Sequence, residues 1–264
     1  MKHLLLGILA VCYMQFSVAQ DTSSPKKTQP QKAVKWLLGP SIGNAVVLPG
    51  FLRGDVTDGL TSYGKEYFMA QLLHTVIFLH KNWGLDISLN ISPDNNNSAD
   101  AIAREVTETY EGRFFTKNSA VYNTSGGYDS PLVSGFLGLT YKYEAGRLLL
   151  MPVIRAGVTS TTFYSWSARL KERDRNNHLL IQINPDTPEK DGFAFGTGFT
   201  IGCRLAHNFY INADCMYYNA DTKVVFKRTE ADLSTNTVVA SRQYNYHKNL
   251  QSLALNFGVL FRLK

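Results

Sequence analysis

The stretch LALNFGVLFRLK, at 253–264, alternates between two kinds of residue without a break. Its odd positions are all apolar, and its even positions carry Ala254, Asn256, Gly258, Leu260, Arg262 and Lys264. A period of two residues is typical of a β-strand with one apolar face. A strand of this kind with a free edge is an aggregation hazard, which closure of the sheet into a barrel removes. The alternation therefore favours a closed β-sheet.

The same alternation recurs along the chain. It is regular in the segments 36–46, 83–91, 133–143, 193–205 and 211–217. Two further segments are less regular. The segment 66–79 is apolar at both parities, and the face of 148–159 is assigned mainly from Arg155, which cannot face lipid at acceptable cost. Together with the last segment, the pattern predicts eight strands.

The connections between these segments differ in length. Three are short enough for hairpin turns, at 80–82, 144–147 and 206–208. The others, at 48–64, 93–129, 160–192 and 221–248, are long and polar, which is uncommon in a compact soluble domain. The pattern predicts an all-β fold: an antiparallel up-and-down transmembrane β-barrel with eight strands, short periplasmic turns and long extracellular loops. A ten-stranded barrel stays open as an alternative if residues 101–123 form an extra hairpin.

The two strand faces differ in chemistry. The apolar face carries essentially no charge, whereas the other face is polar and charged. Because an eight-stranded barrel is narrow enough for side chains to fill it, we expect the charged residues to form a paired network inside the barrel rather than to line a pore. The predicted network consists of Asp86, Lys142, Arg155, Arg204, Asp214 and Arg262.

The first residues predict export. Lys2 and His3 precede an apolar run from Leu4 to Val11, and the small residues of Ser17-Val18-Ala19 form a cleavage site, as in a secretory signal peptide. Residues 20–34 have no periodic apolar face, which predicts a flexible periplasmic lead-in. The predicted organisation is a signal peptide at 1–19, the lead-in at 20–34 and a barrel domain at 35–264.

Four stretches carry a resemblance to known proteins: SVAQ at 17–20, HKNWGLDISLNIS at 80–92, FAFGTGFTIGCRL at 193–205 and the terminal LNFGVLFRLK. They resemble outer-membrane β-barrel proteins of Bacteroidetes-type bacteria, a porin-like or PorT-like group with an architecture similar to OmpA and OmpX. The resemblance implies that the last strand pairs with the first. It also implies a signal for the barrel-assembly machinery at Asn256, Gly258, Phe261 and Leu263. Lys264 departs from this signal, since many such proteins end on an aromatic residue.

Three classes of function remain open at this stage. The first is a non-enzymatic barrel with a structural, interaction or secretion-associated role through its long extracellular loops, as the resemblance to PorT-like proteins implies. The second is an outer-membrane enzyme that modifies lipid A, and the third is a small passive pore. We favour the first class. The His-x-Ser pair of lipid A deacylases is missing from the sequence, which leaves His74 as the one candidate base.

Cofactors and partners follow from the same residues. The His and Cys residues lack the spacing of a metal site, so we expect no metal, no cofactor and no catalytic residue. Nucleic acid is not an expected partner, because the exported chain has no arginine-rich helix or stacking motif. The expected partners are outer-membrane lipid and lipopolysaccharide, the barrel-assembly machinery, and an envelope or secretion complex. Phosphate-bearing headgroups would be contacted by the basic residues Lys223, Lys227, Arg228, Arg242 and Lys248. The aromatic residues Trp36, Trp83, Tyr141, Tyr143 and Phe261 are predicted to form a girdle near the short turns.

Overall fold

The structure is a computed structural model that describes residues 36–49, 60–61, 65–93, 99–117, 120–125 and 132–263. The predicted signal peptide at 1–19 and lead-in at 20–34 lie outside the described residues. The strands are β1 (Trp36–Val47), β2 (Glu66–His80), β3 (Trp83–Ser92), β4 (Phe114–Phe115), β5 (Val121–Ser125), β6 (Leu132–Tyr141), β7 (Tyr143–Ala145), β8 (Leu148–Thr162), β9 (Ser165–Glu172), β10 (His178–Pro185), β11 (Glu189–Ala206), β12 (Phe209–Asp232) and β13 (Thr237–Leu263). One helix, α1 (Ala99–Tyr110), lies between β3 and β4. No helix in the described ranges is long and apolar enough to cross a membrane.

Eight of these strands form a closed ring. The antiparallel order is β1-β2-β3-β6-β8-β11-β12-β13, and β13 pairs again with β1 along its last part, from Val47 opposite Ser252 to Trp36 opposite Leu263. The predicted eight-stranded antiparallel barrel is therefore confirmed. The ten-stranded alternative is wrong, because the segment 101–123 contributes α1, β4 and β5. Both of these short strands pair with β9, outside the ring.

The ambiguous pattern of β2 has a structural cause. The ladder between β2 and β3 shifts its register between Gln71 and Leu73, as expected for a β-bulge. Before the bulge the inward residues include Met69 and Gln71, and after it they are His74 and Val76. After an extra residue in a strand, the side chains at odd and even positions exchange the faces to which they point. Apolar residues are therefore found at both odd and even positions of this segment.

Two of the four predicted long loops are largely strand, which corrects the sequence interpretation. The ladder of β12 and β13 continues to Asp232 opposite Thr237, and β9 and β10 extend this sheet sideways from β12. In this hairpin the outward positions carry Lys223 and Lys227 in place of apolar residues. A strand in water needs no apolar outer face, so its sequence loses the lipid-facing signature and is mistaken for a loop.

The region beyond the ring has its own apolar core. Phe163, Phe226 and Tyr246 form a cluster of aromatic rings with centroids 5.8 to 6.1 Å apart. Leu60 lies buried in the same core, and its carbonyl accepts a hydrogen bond from the backbone N–H of Tyr164 at 2.8 Å. This core packs across the end of the barrel opposite the short turns.

Candidate functional site

The barrel interior contains two polar clusters separated by apolar side chains. Along β8, Leu149, Met151 and Val153 lie between the short-turn end and Arg155, and all three are buried. Leu149 and Met151 pack in one cluster with Leu37, Val76, Tyr210 and Leu260. We call the members of this cluster other than Tyr210 the apolar plug. The plug divides a charged cluster at the short-turn end from a second cluster near the middle of the barrel.

The middle cluster centres on an ion pair between Asp86 on β3 and Arg155 on β8. Arg155 Nε donates to Asp86 Oδ1 at 2.6 Å, and Arg155 Nη2 donates to Asp86 Oδ2 at 3.1 Å. His74 on β2 completes the group, with its Nε2 atom 2.8 Å from Asp86 Oδ2. Asp86 and His74 are each 1% exposed, and Arg155 is 4% exposed. A two-pronged contact of this kind provides the compensation that a buried carboxylate and guanidinium require.

Arg155 also contacts Tyr218, to which its Nη1 atom donates at 3.2 Å. Asp214, in contrast, is satisfied by neutral donors: Thr200 Oγ1 donates to one carboxylate oxygen, and Asn212 Nδ2 donates to the other at 3.0 Å. Of the six residues predicted to form the interior network, the structure brings Asp86 and Arg155 into direct contact with each other. The other four lie elsewhere in the interior.

Three of those four meet at the short-turn end, around a residue that sequence reasoning missed. Glu144 on β7 lies 3.5 Å from Arg204, 3.9 Å from Arg262 and 3.9 Å from Lys142, and it accepts a hydrogen bond from Tyr210 Oη at 2.9 Å. We call these five residues the rim cluster. The sequence pattern places Glu144 in the short turn at 144–147. Its spacing of two residues from Lys142 was the signal that both side chains share a face.

The four residues of the predicted assembly signal lie on the seam where β13 closes the ring. Asn256 is 1% exposed and faces inward, whereas Phe261 and Leu263 are each 45% exposed on the outer surface. Gly258 lies opposite Ser41 on β1, where a Cβ atom at position 258 would come within 2.3 Å of the Pro40 carbonyl oxygen. This position of the seam therefore has no room for a side chain.

Helix α1 is attached to the hairpin by polar contacts. Arg228 on β12 donates to Glu105 Oε1 and to Tyr110 Oη, each at 2.9 Å. Burial, together with the hydrogen bond to Glu230, raises the pKa of Tyr110 to about 12. Among the basic residues expected to contact lipid headgroups, Arg228 is thus turned toward the protein. Lys223 lies outward and pairs with Asp221 at 2.8 Å, and Lys248 lies over the ring of Tyr246.

The middle cluster contains groups that could take part in catalysis, but a substrate has little room to reach them. Asp86 is placed to orient His74 as the acid of a triad orients its base, and Ser88 lies opposite His74 in the ladder. However, Arg155 binds the same carboxylate, and the cavity on this side of the cluster, lined by Asn90 and Tyr218 among others, has a volume of about 30 Å³. That space has room for a few water molecules and not for an acyl chain. In the described ranges, no group of three or more His, Cys, Asp or Glu residues is placed to hold a metal ion.

No protein-family model matches the sequence, and no curated protein matches it. The solved structures that match this chain include the following three. A major outer membrane protein from Thermus thermophilus is 14% identical, with 86% of this chain and 99% of that chain covered and a TM-score of 0.41. Ail, the attachment invasion locus protein of Yersinia pestis, is 12% identical, with 87% and 99% covered and a TM-score of 0.35. The outer membrane protease OmpT from Escherichia coli is 8% identical, with 90% and 99% covered and a TM-score of 0.35. At these TM-scores the similarity carries no inference about activity, and the resemblance to a PorT-like group stays a prediction.

Proposed function

We propose that this chain is an integral outer-membrane β-barrel that conducts nothing through its lumen and binds a partner outside the cell with a projecting β-sheet. The observation that carries the membrane placement is the outer surface of the ring. Every ring strand exposes at least one large apolar side chain, and examples are Leu79 (73% exposed), Ile154 (60%) and Phe193 (64%). A continuous apolar surface on all sides far exceeds the patches of soluble proteins and fits a lipid environment.

Aromatic residues at the short-turn end support the same placement. Trp83 on β3 packs edge to face against Tyr141 on β6, with ring centroids 5.2 Å apart. The tilted ring of Phe261 packs against Phe209 with centroids 5.3 Å apart, and Trp36 is exposed one strand away. Amphipathic rings gathered at one level of a barrel are typical of a membrane interface. Since short turns face the periplasm in outer-membrane barrels, the projecting sheet then lies outside the cell.

The interior argues against a pore. The apolar plug fills the lumen between the two polar clusters, and its members Leu37, Leu149 and Leu260 are each at most 1% exposed. The aromatic core of Phe163, Phe226 and Tyr246 covers the opposite end. Ions cross a constriction of this kind only if water can wet it, which packed aliphatic side chains prevent. The buried Asp86–Arg155 pair is therefore proposed to hold the barrel wall together rather than to select ions.

The proposed binding surface is the hairpin of β12 and β13 beyond the membrane. From Asn219 to Asp232 this hairpin continues for roughly 45 Å of strand at about 3.3 Å per residue. Within the described residues, the part of β13 from Thr237 to Asn245 pairs with β12 on one side and with no strand on the other. Val238 and Val239 on this part are each 64% exposed. A free edge of this length is a site where an extended segment of another protein can add a strand.

Two further partners fit this placement. Lys223 and Lys227 point outward from β12 just beyond the apolar surface, where the phosphate groups of lipopolysaccharide lie. Asn256, Gly258, Phe261 and Leu263 lie on the strand that must pair last to close the ring, which fits recognition of this strand by the barrel-assembly machinery. Both roles are part of the proposal.

The membrane placement is tested by gel mobility and fractionation. The detergent-extracted outer-membrane fraction is run boiled and unboiled, and the chain is detected by blotting. We expect a faster band without boiling, because a closed barrel resists the denaturing detergent. A soluble periplasmic chain with no mobility shift would refute the proposal.

The binding role is tested with a deletion in the hairpin. Removing residues 226–243 and joining the strands by a short turn should leave the mobility shift intact and abolish binding of the extracellular partner to whole cells. A matched control carries Lys227→Gln alone, which leaves the edge of β13 unchanged. Channel recordings in planar bilayers provide the third measurement, in which we expect no conductance from the wild-type chain.

A further inference from the structure

The short-turn end of the barrel carries far more positive than negative charge. It is built from the segments 36–38, 77–85, 140–149, 203–211 and 259–263. The acidic residue in these segments is Glu144, against the basic residues Lys81, Lys142, Arg147, Arg204 and Arg262. The fold brings these basic residues together at one mouth of the barrel.

Three of the basic side chains turn into the lumen. The side chains of Lys142, Arg204 and Arg262 are 10%, 22% and 8% exposed, and that of Glu144 is 16% exposed. Glu144 already accepts a hydrogen bond from Tyr210 at 2.9 Å, and its contacts with Lys142 and Arg262 are long, at 3.9 Å. One carboxylate therefore faces three cations, which leaves an excess of two positive charges in a confined space.

The other interior carboxylates do not compensate this excess. Asp86 is occupied by Arg155 and His74, and Asp214 by Thr200 and Asn212. The apolar plug also separates the rim cluster from the middle cluster containing Asp86. Repulsion between like charges is stronger beside such low-dielectric side chains than in bulk water, and a cleft lined by one sign of charge concentrates ions of the opposite sign.

We propose that the rim cluster, consisting of Lys142, Glu144, Arg204, Arg262 and Tyr210, binds a small soluble oxyanion, a phosphate or carboxylate group that enters the short-turn mouth from the aqueous phase. Guanidinium groups match the geometry of such oxyanions with paired N–H donors, and the Lys142 ammonium adds a point charge. The side chains face the lumen, so the barrel wall separates them from lipid headgroups around the barrel. This inference rests on the proposed function in one respect, which is that the short-turn mouth opens to the periplasm.

The experiment uses the full mature chain refolded in a phosphate-free non-ionic detergent. Inorganic phosphate is titrated at constant ionic strength maintained with sodium chloride, and binding is followed by calorimetry and by the thermal midpoint. We expect saturable binding. Arg262→Gln should weaken the affinity for phosphate by about tenfold, as expected for loss of a charged hydrogen-bond donor. Glu144→Gln should increase the affinity, because it removes the carboxylate that competes for the same donors. The control Lys190→Gln, an exposed residue of β11 at the end of the barrel opposite the short turns, should bind as the wild type does.

Several outcomes would overturn the inference. Phosphate acting no more strongly than chloride would do so. Weaker binding by Glu144→Gln would do so as well, and so would a loss of binding in Lys190→Gln as large as that in Arg262→Gln. If Arg262→Gln does not refold, as judged by gel mobility, Arg204→Gln takes its place with the same expectation. Micelles containing phosphatidylglycerol should leave the phosphate affinity unchanged, and competition by the lipid would refute a soluble ligand. A refolded barrel that binds phosphate but fractionates outside the outer membrane would refute the proposed function and leave the anion site standing.

Discussion

The ion pair between Asp86 and Arg155 provides a sharp test of how the interior stabilises the barrel. Asp86→Asn keeps the shape of the side chain and removes its charge, which leaves the guanidinium of Arg155 buried with a neutral amide. Arg155 is 4% exposed and retains Tyr218 and His74 as neighbours. Breaking a buried pair by removing one partner costs about 3–5 kcal/mol. We therefore expect the free energy of unfolding to fall by about that amount.

The assay is urea-induced unfolding of the barrel in phospholipid vesicles, followed by tryptophan fluorescence and by gel mobility. The matched control is Lys223→Gln, which breaks an exposed pair with Asp221 whose side chains are 53% and 39% exposed. Exposed pairs contribute about 0–1 kcal/mol, so this variant should unfold almost as the wild type does.

A double variant separates the loss of the pair from a general loss of packing. Asp86→Asn combined with Arg155→Met removes both charges, and we expect it to recover most of the stability, since apolar replacement of a whole buried pair is often neutral. The reasoning is refuted if Asp86→Asn costs less than about 1 kcal/mol, well below the range for a broken buried pair. It is also refuted if the double variant loses the sum of the two single effects.

Three further predictions concern the seam, the plug and the hairpin turn. Gly258→Val should slow or prevent closure of the barrel, measured by the rate at which the faster gel band appears during refolding, because the added side chain would meet the Pro40 carbonyl. Leu149→Ala and Met151→Ala should each lower the free energy of unfolding by about 2–5 kcal/mol, because each removes a fully buried side chain from the plug. A loss below about 1 kcal/mol in urea unfolding would show that the plug is not closely packed. Hydrogen bonds from Ser234 and Asn177 hold the pKa of Asp232 below its ordinary value of 3.8. The turn should therefore keep its protection from amide exchange above that pH and lose it as the pH falls below, and Asp232→Ala should abolish this pH dependence.

The alternation of residues was sufficient to predict the ring. A lipid-facing strand must place apolar residues at every second position, so the constraint lies within each segment and needs no knowledge of the partner strand. The short turns at 80–82, 144–147 and 206–208 fixed which neighbours form hairpins. The inward direction of Asp86 and Arg155 followed from the same parity, because neither charge tolerates lipid.

Tertiary structure decided which interior charges meet. Asp86 and Arg155 are far apart in the chain, and the register of β3 on β6 and of β6 on β8 brings them together, which depends on the stagger of the strands around the ring. The alternation in the sequence predicted which face of its strand carries Asp214, but it did not predict the partner of that carboxylate. Glu144 contacts several interior side chains because four strands converge at the short-turn end. The sequence did not predict the hairpin beyond the membrane. Its outer face contacts water, so its residues need not alternate between apolar and polar. The sequence thus determined what had to face lipid, while long-range pairing decided what the inside and the extracellular sheet became.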